Sequence, residues 1–169
     1  MTLLGVYRAM IRPLILLAAL AACTAASPAP TFDPLAFFTG PSRGEGMLKV
    51  IMKAPVPIRI QSEGTPDGNG GLTLRQTIRE GDKPPRQNLW ALRPTSSTTL
   101  AGTASNSPGP IRGRLDGNRL LLNYAMKGGL KAEQVLTMRT GGGSVVSRMT
   151  IKRFGIPVAH IEEVITKLD

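Results

Sequence analysis

Histidine and cysteine occur once each in the 169 residues, and aromatic side chains make up only 4% of them. With His160 as the sole histidine and no cysteine or acid cluster around it, neither a metal site nor a nucleophile–base–acid triad can be assembled. His160 is therefore read as a surface or pore-lining residue beside Glu162 and Glu163. Scarce aromatics argue against an outer-membrane barrel, which needs aromatic girdles, and against a single-strand nucleic-acid binder, which needs stacking platforms. Acids are also few, 11 against 21 Lys and Arg. Glu45, Glu63, Glu80, Asp82, Asp116 and Glu133 stand singly, so no paired-carboxylate chemistry is indicated. Gly141-Gly142-Gly143-Ser144 lacks the lysine and following helix of a phosphate loop and reads as a turn. These absences lead to the expectation of a protein that is not an enzyme, with no metal and no cofactor.

A long apolar run is missing too. Pro13–Ala22 is ten residues, too short at 1.5 Å per residue to cross a bilayer core of ~30 Å. Behind Arg8 and Arg12 it has the form of an export leader, whether the chain starts at Met1 or Met10. Its end, Leu20-Ala21-Ala22-Cys23, resembles the lipobox of bacterial lipoproteins. The resemblance implies cleavage between Ala22 and Cys23 and a diacylglyceryl, palmitate-type anchor on Cys23. Acyl chains at ~0.8 kcal/mol per buried methylene would hold such a protein on a membrane. Thr24 stands where, in that family, an Asp tends to retain the protein at the inner membrane, so the outer membrane, facing the periplasm, is expected. Thr24–Pro34 is rich in Pro, Ala and Ser and reads as a tether.

What is abundant is turn chemistry and positive charge. Gly (19) and Pro (14) imply many turns and short strands. The net charge is +10, or +8 once Arg8 and Arg12 leave with the leader. That favours anionic neighbours such as lipid headgroups, and export makes nucleic acid the poorest of them. The basic residues are dispersed along the chain, which suggests a general field.

From Phe37 onward the apolar pattern has a period of two. Leu48, Val50 and Met52 alternate with lysines, and Ile58 and Ile60 with Arg59 and Gln61. Leu72, Leu74 and Ile78 follow the turn Thr65–Gly71. Trp90 and Leu92 share a face, as do Leu120, Leu122, Tyr124 and Met126, then Leu136 and Met138, then Met149 and Ile151. Gln76, Ser147 and Arg153 fall on the same nominal faces. Ile156–Leu168 carries a stripe that fits a helix plugging one barrel end, but its β-branched residues favour a strand. The expected fold is all-β: an antiparallel meander of about eight to ten strands closing into a barrel. The domain plan is a leader (1–22), a lipidated tether (23–36) and a barrel (37–169).

Several short motifs sharpen this. They are Phe38-x-Gly40 with Gly44 and Gly46, Trp90, the segment around Gly117, Asn123-Tyr124-x-Met126, and Phe154-Gly155. In this order and spacing the chain resembles a family of short proteobacterial lipoproteins of unknown function with a lipocalin-like (calycin) barrel. The resemblance implies fold and compartment. The inward set is aliphatic and Met-rich, which suits either a packed core or an apolar ligand. Trp90, Tyr124, Leu74, Leu122, Met138 and Met149 are the candidate ligand contacts, and a fatty acid or phospholipid is the candidate ligand. The expected function is a membrane-anchored periplasmic lipoprotein that binds or transfers a lipidic ligand; the alternative is an envelope scaffold or assembly factor.

Overall fold

The computed structural model describes residues 31–168. A short helix, α1 (Pro34–Phe38), precedes ten strands. These are β1 (Gly40–Val50), β2 (Val56–Pro66), β3 (Leu72–Glu80), β4 (Arg86–Pro94) and β5 (Thr99–Ala104), followed by β6 (Ile111–Asp116), β7 (Arg119–Met126), β8 (Leu130–Met138), β9 (Ser144–Arg153) and β10 (Ile156–Lys167). Each strand pairs antiparallel with its sequence neighbours, and β1 pairs with β10. The sheet is thus a closed barrel in which no strand edge is left unpaired. The final segment is a strand, as its β-branched residues favoured. Its one irregularity is a bulge between Pro157 and Ala159, where proline has no N–H for the ladder. The Val158 carbonyl at that bulge accepts from the Ile51 N–H instead, at 2.9 Å.

The plug sits at the other terminus from the one a C-terminal helix would have served. Phe32 is 1% exposed, and its N–H donates to the Gly117 carbonyl in the β6–β7 turn. The Asp33 carboxylate accepts from the N–H groups of Leu35 and Ala36, capping α1. At the far end of this single turn, the Lys167 ammonium donates to the carbonyls of Ala36, Phe37 and Thr39 at 2.8, 3.3 and 3.0 Å. A cation there satisfies carbonyls that the helix leaves without partners. Phe32, Phe37 and Phe38 stack edge to face, with centroids 5.9 and 4.9 Å apart. The barrel domain therefore begins before residue 37. Residues 32–36, assigned to a tether on composition, are part of its closed end. Ala22 and Cys23 lie outside the described residues.

The two barrel ends differ in filling. The larger core cluster joins the phenylalanines to Leu72, Leu92, Leu100, Leu120, Leu136, Met138 and Val145. A smaller cluster of Leu48, Ile151 and Ala159 lies toward the opposite end. Closure, plug and core are all made within residues 32–167, which makes this segment a complete folding unit.

Candidate functional site

Between the two clusters the barrel is hollow. A cavity of about 400 Å³ runs inward from the end remote from α1, within the ~300–1,000 Å³ typical of small-molecule sites. Its wall is largely aliphatic: Leu48, Val50, Ile58, Ile60, Leu74 and Ile78 from β1–β3, and Leu122, Met126, Leu130, Met149 and Ile151 from β7–β9. At the mouth Glu80 accepts from Lys83 at 3.1 Å and from Arg86 at 2.7 Å. Burial alone would raise the Glu80 carboxyl, but these cationic hydrogen bonds outweigh it and hold it below the usual range.

At mid-depth a belt of polar side chains interrupts the aliphatic wall. On one side the Trp90 indole N–H donates to Gln76 Oε1 at 2.6 Å, and Gln76 Nε2 approaches Ser62 Oγ at 3.4 Å. On the other side Gln134 Nε2 donates to Ser147 Oγ at 2.9 Å. Ser147 in turn lies directly opposite Glu163 across β9 and β10. Tyr124 joins the two sides, packing edge to face on Trp90 with centroids 5.4 Å apart. Glu163 is 6% exposed, and both its Oε2 and Gln134 Oε1 lack a hydrogen-bond partner. Burial pushes the Glu163 carboxyl up to about 7, against a smaller lowering by Ser147. Burial also raises the Tyr124 phenol, and the nearby Glu163 charge adds to that.

Two glycines explain how a carboxylate fits there. Gly46 pairs directly with Glu163 across β1 and β10. A Cβ at Gly46 would collide with the Glu162 carbonyl and the Glu163 Cα, and one at Gly44 would lie 2.6 Å from Glu163 Oε2. The Gly44-x-Gly46 pair thus clears the floor under the buried acid. Gly40 and Gly117 serve turns next to the plug, each at positive φ. Phe38 is part of the plug, and Phe154-Gly155 forms the β9–β10 turn at the cavity's end of the barrel.

The residues singled out from sequence separate into two groups. Trp90, Tyr124, Leu74, Leu122 and Met149 line the cavity. Met138 does not. It lies where β8 reaches the plugged end, packed in the larger core cluster and away from the cavity wall. Arg153, nominally inward, is exposed with its guanidinium 5.5 Å from the Phe154 ring centroid, because the strand ends at that turn. His160 is exposed on β10, 3.3 Å from Thr150 Oγ1. Sequence reasoning missed Glu163 by grouping it with its neighbour Glu162. The signal was the alternation Ile161, Glu163, Ile165, which places Glu163 inward once the segment is a strand.

The profile of a family of proteins of unknown function, DUF3833, matches residues 15–167. The chain belongs to the DUF3833 family. No curated protein sequence matches it. The DUF3833 barrel is similar in structure to the S-type phycobiliprotein lyase CPES of Guillardia theta. That match has a TM-score of 0.63 and 9% identity, and covers 80% of this chain and 90% of the lyase. It is also similar to a protein of unknown function from the DUF3598 family of Nostoc punctiforme. There the TM-score is 0.62 with 11% identity, and the match covers 87% of this chain and 53% of that longer one. At these identities the likeness is one of fold, and it establishes a lipocalin-like barrel. It also corrects one expectation. The sequence reading excluded an enzyme for want of catalytic residues, yet this barrel architecture is the body of a lyase, so the exclusion does not stand. No lyase site residue carries over with the fold.

Proposed function

We propose that this DUF3833 protein is a membrane-anchored envelope lipoprotein whose barrel binds or transfers a lipidic ligand. The carrying observation is the cavity itself: a hollow of about 400 Å³, open at one end, with an aliphatic wall and one polar belt. An apolar chain entering it would gain ~0.8 kcal/mol for each methylene removed from water, less the cost of ordering the chain. The belt gives such a ligand an orientation. Gln76, Trp90, Gln134 and Glu163 place polar atoms at mid-depth and Glu80, Lys83 and Arg86 place charge at the mouth, with aliphatic wall between, so an amphipathic molecule is held by its polar group at one of these two depths. The resemblance of Leu20–Cys23 to a lipobox supports the anchor, and Thr24 supports the outer membrane over the inner.

The direct test is native mass spectrometry of residues 24–169 purified from cells, followed by titration with a fluorescent fatty acid and a fluorescent phospholipid. A bound lipid, or uptake lost in Trp90→Ala and Leu122→Trp, is the expected result. A ligand-free barrel that takes up neither probe overturns the reading. For the anchor, Cys23→Ser should abolish cleavage and membrane retention of the full chain. Unchanged processing and fractionation in that variant would refute the lipobox.

A further inference from the structure

The barrel end at which the cavity opens has a surface unlike the rest of the molecule. Five connections form its rim, and their order around the barrel follows from the strand order: β3–β4, β1–β2, β9–β10, β7–β8 and β5–β6. Two of them carry large apolar side chains aimed at solvent. Met52 in the β1–β2 loop is 98% exposed and Phe154 in the β9–β10 turn is 89% exposed. Ile51 and Ile156 beside them are also exposed. The two connections are adjacent, since Ile51 N–H bonds the Val158 carbonyl and β1 pairs with β10. Away from this rim the most open large apolar side chain among the described residues is Met47 at 46%, and at the plugged end Leu168 reaches 38%.

Charge divides the two ends in the same direction. The rim connections carry Lys53, Lys83 and Lys127 against Asp82, and Lys152 and Arg153 end β9 beside Phe154; Lys83 is paired with Glu80 and Lys152 with Glu133, which leaves Lys53, Lys127 and Arg153 as the cations beside the tip. The connections at the plugged end carry Arg139 against Asp33 and Asp67. Most of the basic residues stay dispersed over the barrel wall, but the connections beside the apolar tip are basic while those of the plugged end are not. Interfacial membrane binding takes this form, with apolar side chains at acyl depth and cations at the headgroups.

Backbone conformation adds a third observation. Met52 and Phe154 are the only non-glycine residues at positive φ among those described, at 58° and 52°. Phe154 and Gly155 (φ 81°) fit the type I′ hairpin turn, a position where asparagine is the favoured residue and phenylalanine a costly one. Both residues sit in a disfavoured conformation, at the tip, with almost no packing in return. Apart from an exposed cation–π contact between Phe154 and Arg153, folding gains little from these side chains there.

We propose that the open rim is a docking surface for an anionic phospholipid bilayer, with Met52 and Phe154 inserted and Lys53, Lys127 and Arg153 at the headgroups. Docking there places the mouth of the cavity directly against a source or sink of acyl chains. The proposal goes beyond ligand binding and does not depend on it.

The test uses residues 24–169, which contain the whole folding unit and lack Cys23, so no lipid anchor contributes. Co-sedimentation is measured with vesicles of phosphatidylcholine alone and of phosphatidylcholine with 30% phosphatidylglycerol. Binding should appear with the anionic vesicles and fall on the order of fivefold for each rim charge removed. The pair Lys53→Glu and Lys127→Glu should therefore lower it by at least about tenfold. So should the pair Met52→Ser and Phe154→Asn, whose thermal unfolding should match or exceed that of the parent. Arg114→Glu with Arg119→Glu, on the β6–β7 wall toward the plugged end, should leave binding unchanged. Binding equal on neutral vesicles, insensitive to the tip pair, or reduced as much by the wall pair overturns the proposal. So does a tip that self-associates without vesicles and loses that association in the tip pair. Lipid-probe uptake is followed in the same variants. Uptake kept while vesicle binding is absent refutes docking and leaves the carrier reading intact.

Discussion

The plugged end and the open end of this barrel are built from the same ten strands and do opposite things with them. At the plugged end a five-residue helix, three phenylalanines and Lys167 close the interior, and the phenylalanines are packed in the larger core cluster. At the open end the strands stop without a cover, and large apolar residues face solvent at the tips while the interior is left hollow. Stability is concentrated at one end, and surface for other molecules at the other. Equivalent substitutions at the two ends should therefore have unequal consequences.

The most severe change should be Phe38→Ala. It removes a plug residue that touches both the α1 aromatics and the cavity floor. A loss of about 3–5 kcal/mol is expected, the usual cost of emptying a buried aromatic site, measured by urea unfolding of residues 24–169. A loss under about 1 kcal/mol would mean that the plug is a lid and not a core.

Glu163 lies between the two regimes and should give the barrel a pH dependence. Its carboxyl is raised from 4.5 to about 7 in the fold. Below pH 4.5 it is protonated in both states, and its contribution is fully present. As pH rises through about 7, only the unfolded chain ionises freely, so stability falls by about 3 kcal/mol. Above that the loss is constant. Glu163→Gln should flatten this window and leave the variant more stable than the parent at pH 8. Parallel stability curves for the two proteins between pH 4.5 and 7.5 would rule out a buried, uncompensated acid.

Much of the strand pattern was legible from sequence because a closed barrel obeys one rule throughout. Leu72, Leu74 and Ile78, or Leu120, Leu122 and Tyr124, face inward at period two, and Asp67–Gly71 turns where Gly68 and Gly70 take positive φ. The plug was not legible. Pro34–Phe38 is too short to show a helical period, and its aromatics gain meaning only from partners far along the chain, such as Gly117 and Lys167. The polar belt was half legible: Gln76 and Ser147 break the apolar face visibly, whereas Glu163 sits next to a surface acid. Hollowness itself leaves no trace in a pattern of alternation. Met138 and Met149 have the same chemistry and the same inward direction. Only their depth in the barrel puts one in packed core and the other on the cavity wall.

Adding volume should separate the ends more gently than removing it. Val145→Phe, at a fully buried site in the larger cluster, should cost about 1–3 kcal/mol through overpacking. Ala159→Leu points into the hollow and should stay within about 1 kcal/mol of the parent, while displacing whatever the cavity takes up. Thermal unfolding with a lipid-probe titration reads both effects. Equal destabilisation at the two sites would show that the interior is uniformly packed.

The smallest expected effect is the most telling about the open end. Phe154 occupies a left-handed position for which an unbranched polar residue is better suited, and its ring meets only the Arg153 guanidinium. Phe154→Asn relieves the backbone, worth up to about 1 kcal/mol, and forfeits an exposed cation–π contact worth ~0.5–1 kcal/mol. The net change should be zero to about 0.5 kcal/mol in favour of the variant, read as an unchanged or slightly raised melting temperature. A loss above 1 kcal/mol would show that the ring is packed in solution and that the open end helps hold the fold together. A gain would mean that phenylalanine stands at this tip at the fold's expense, as expected of a side chain whose contacts are made outside the molecule.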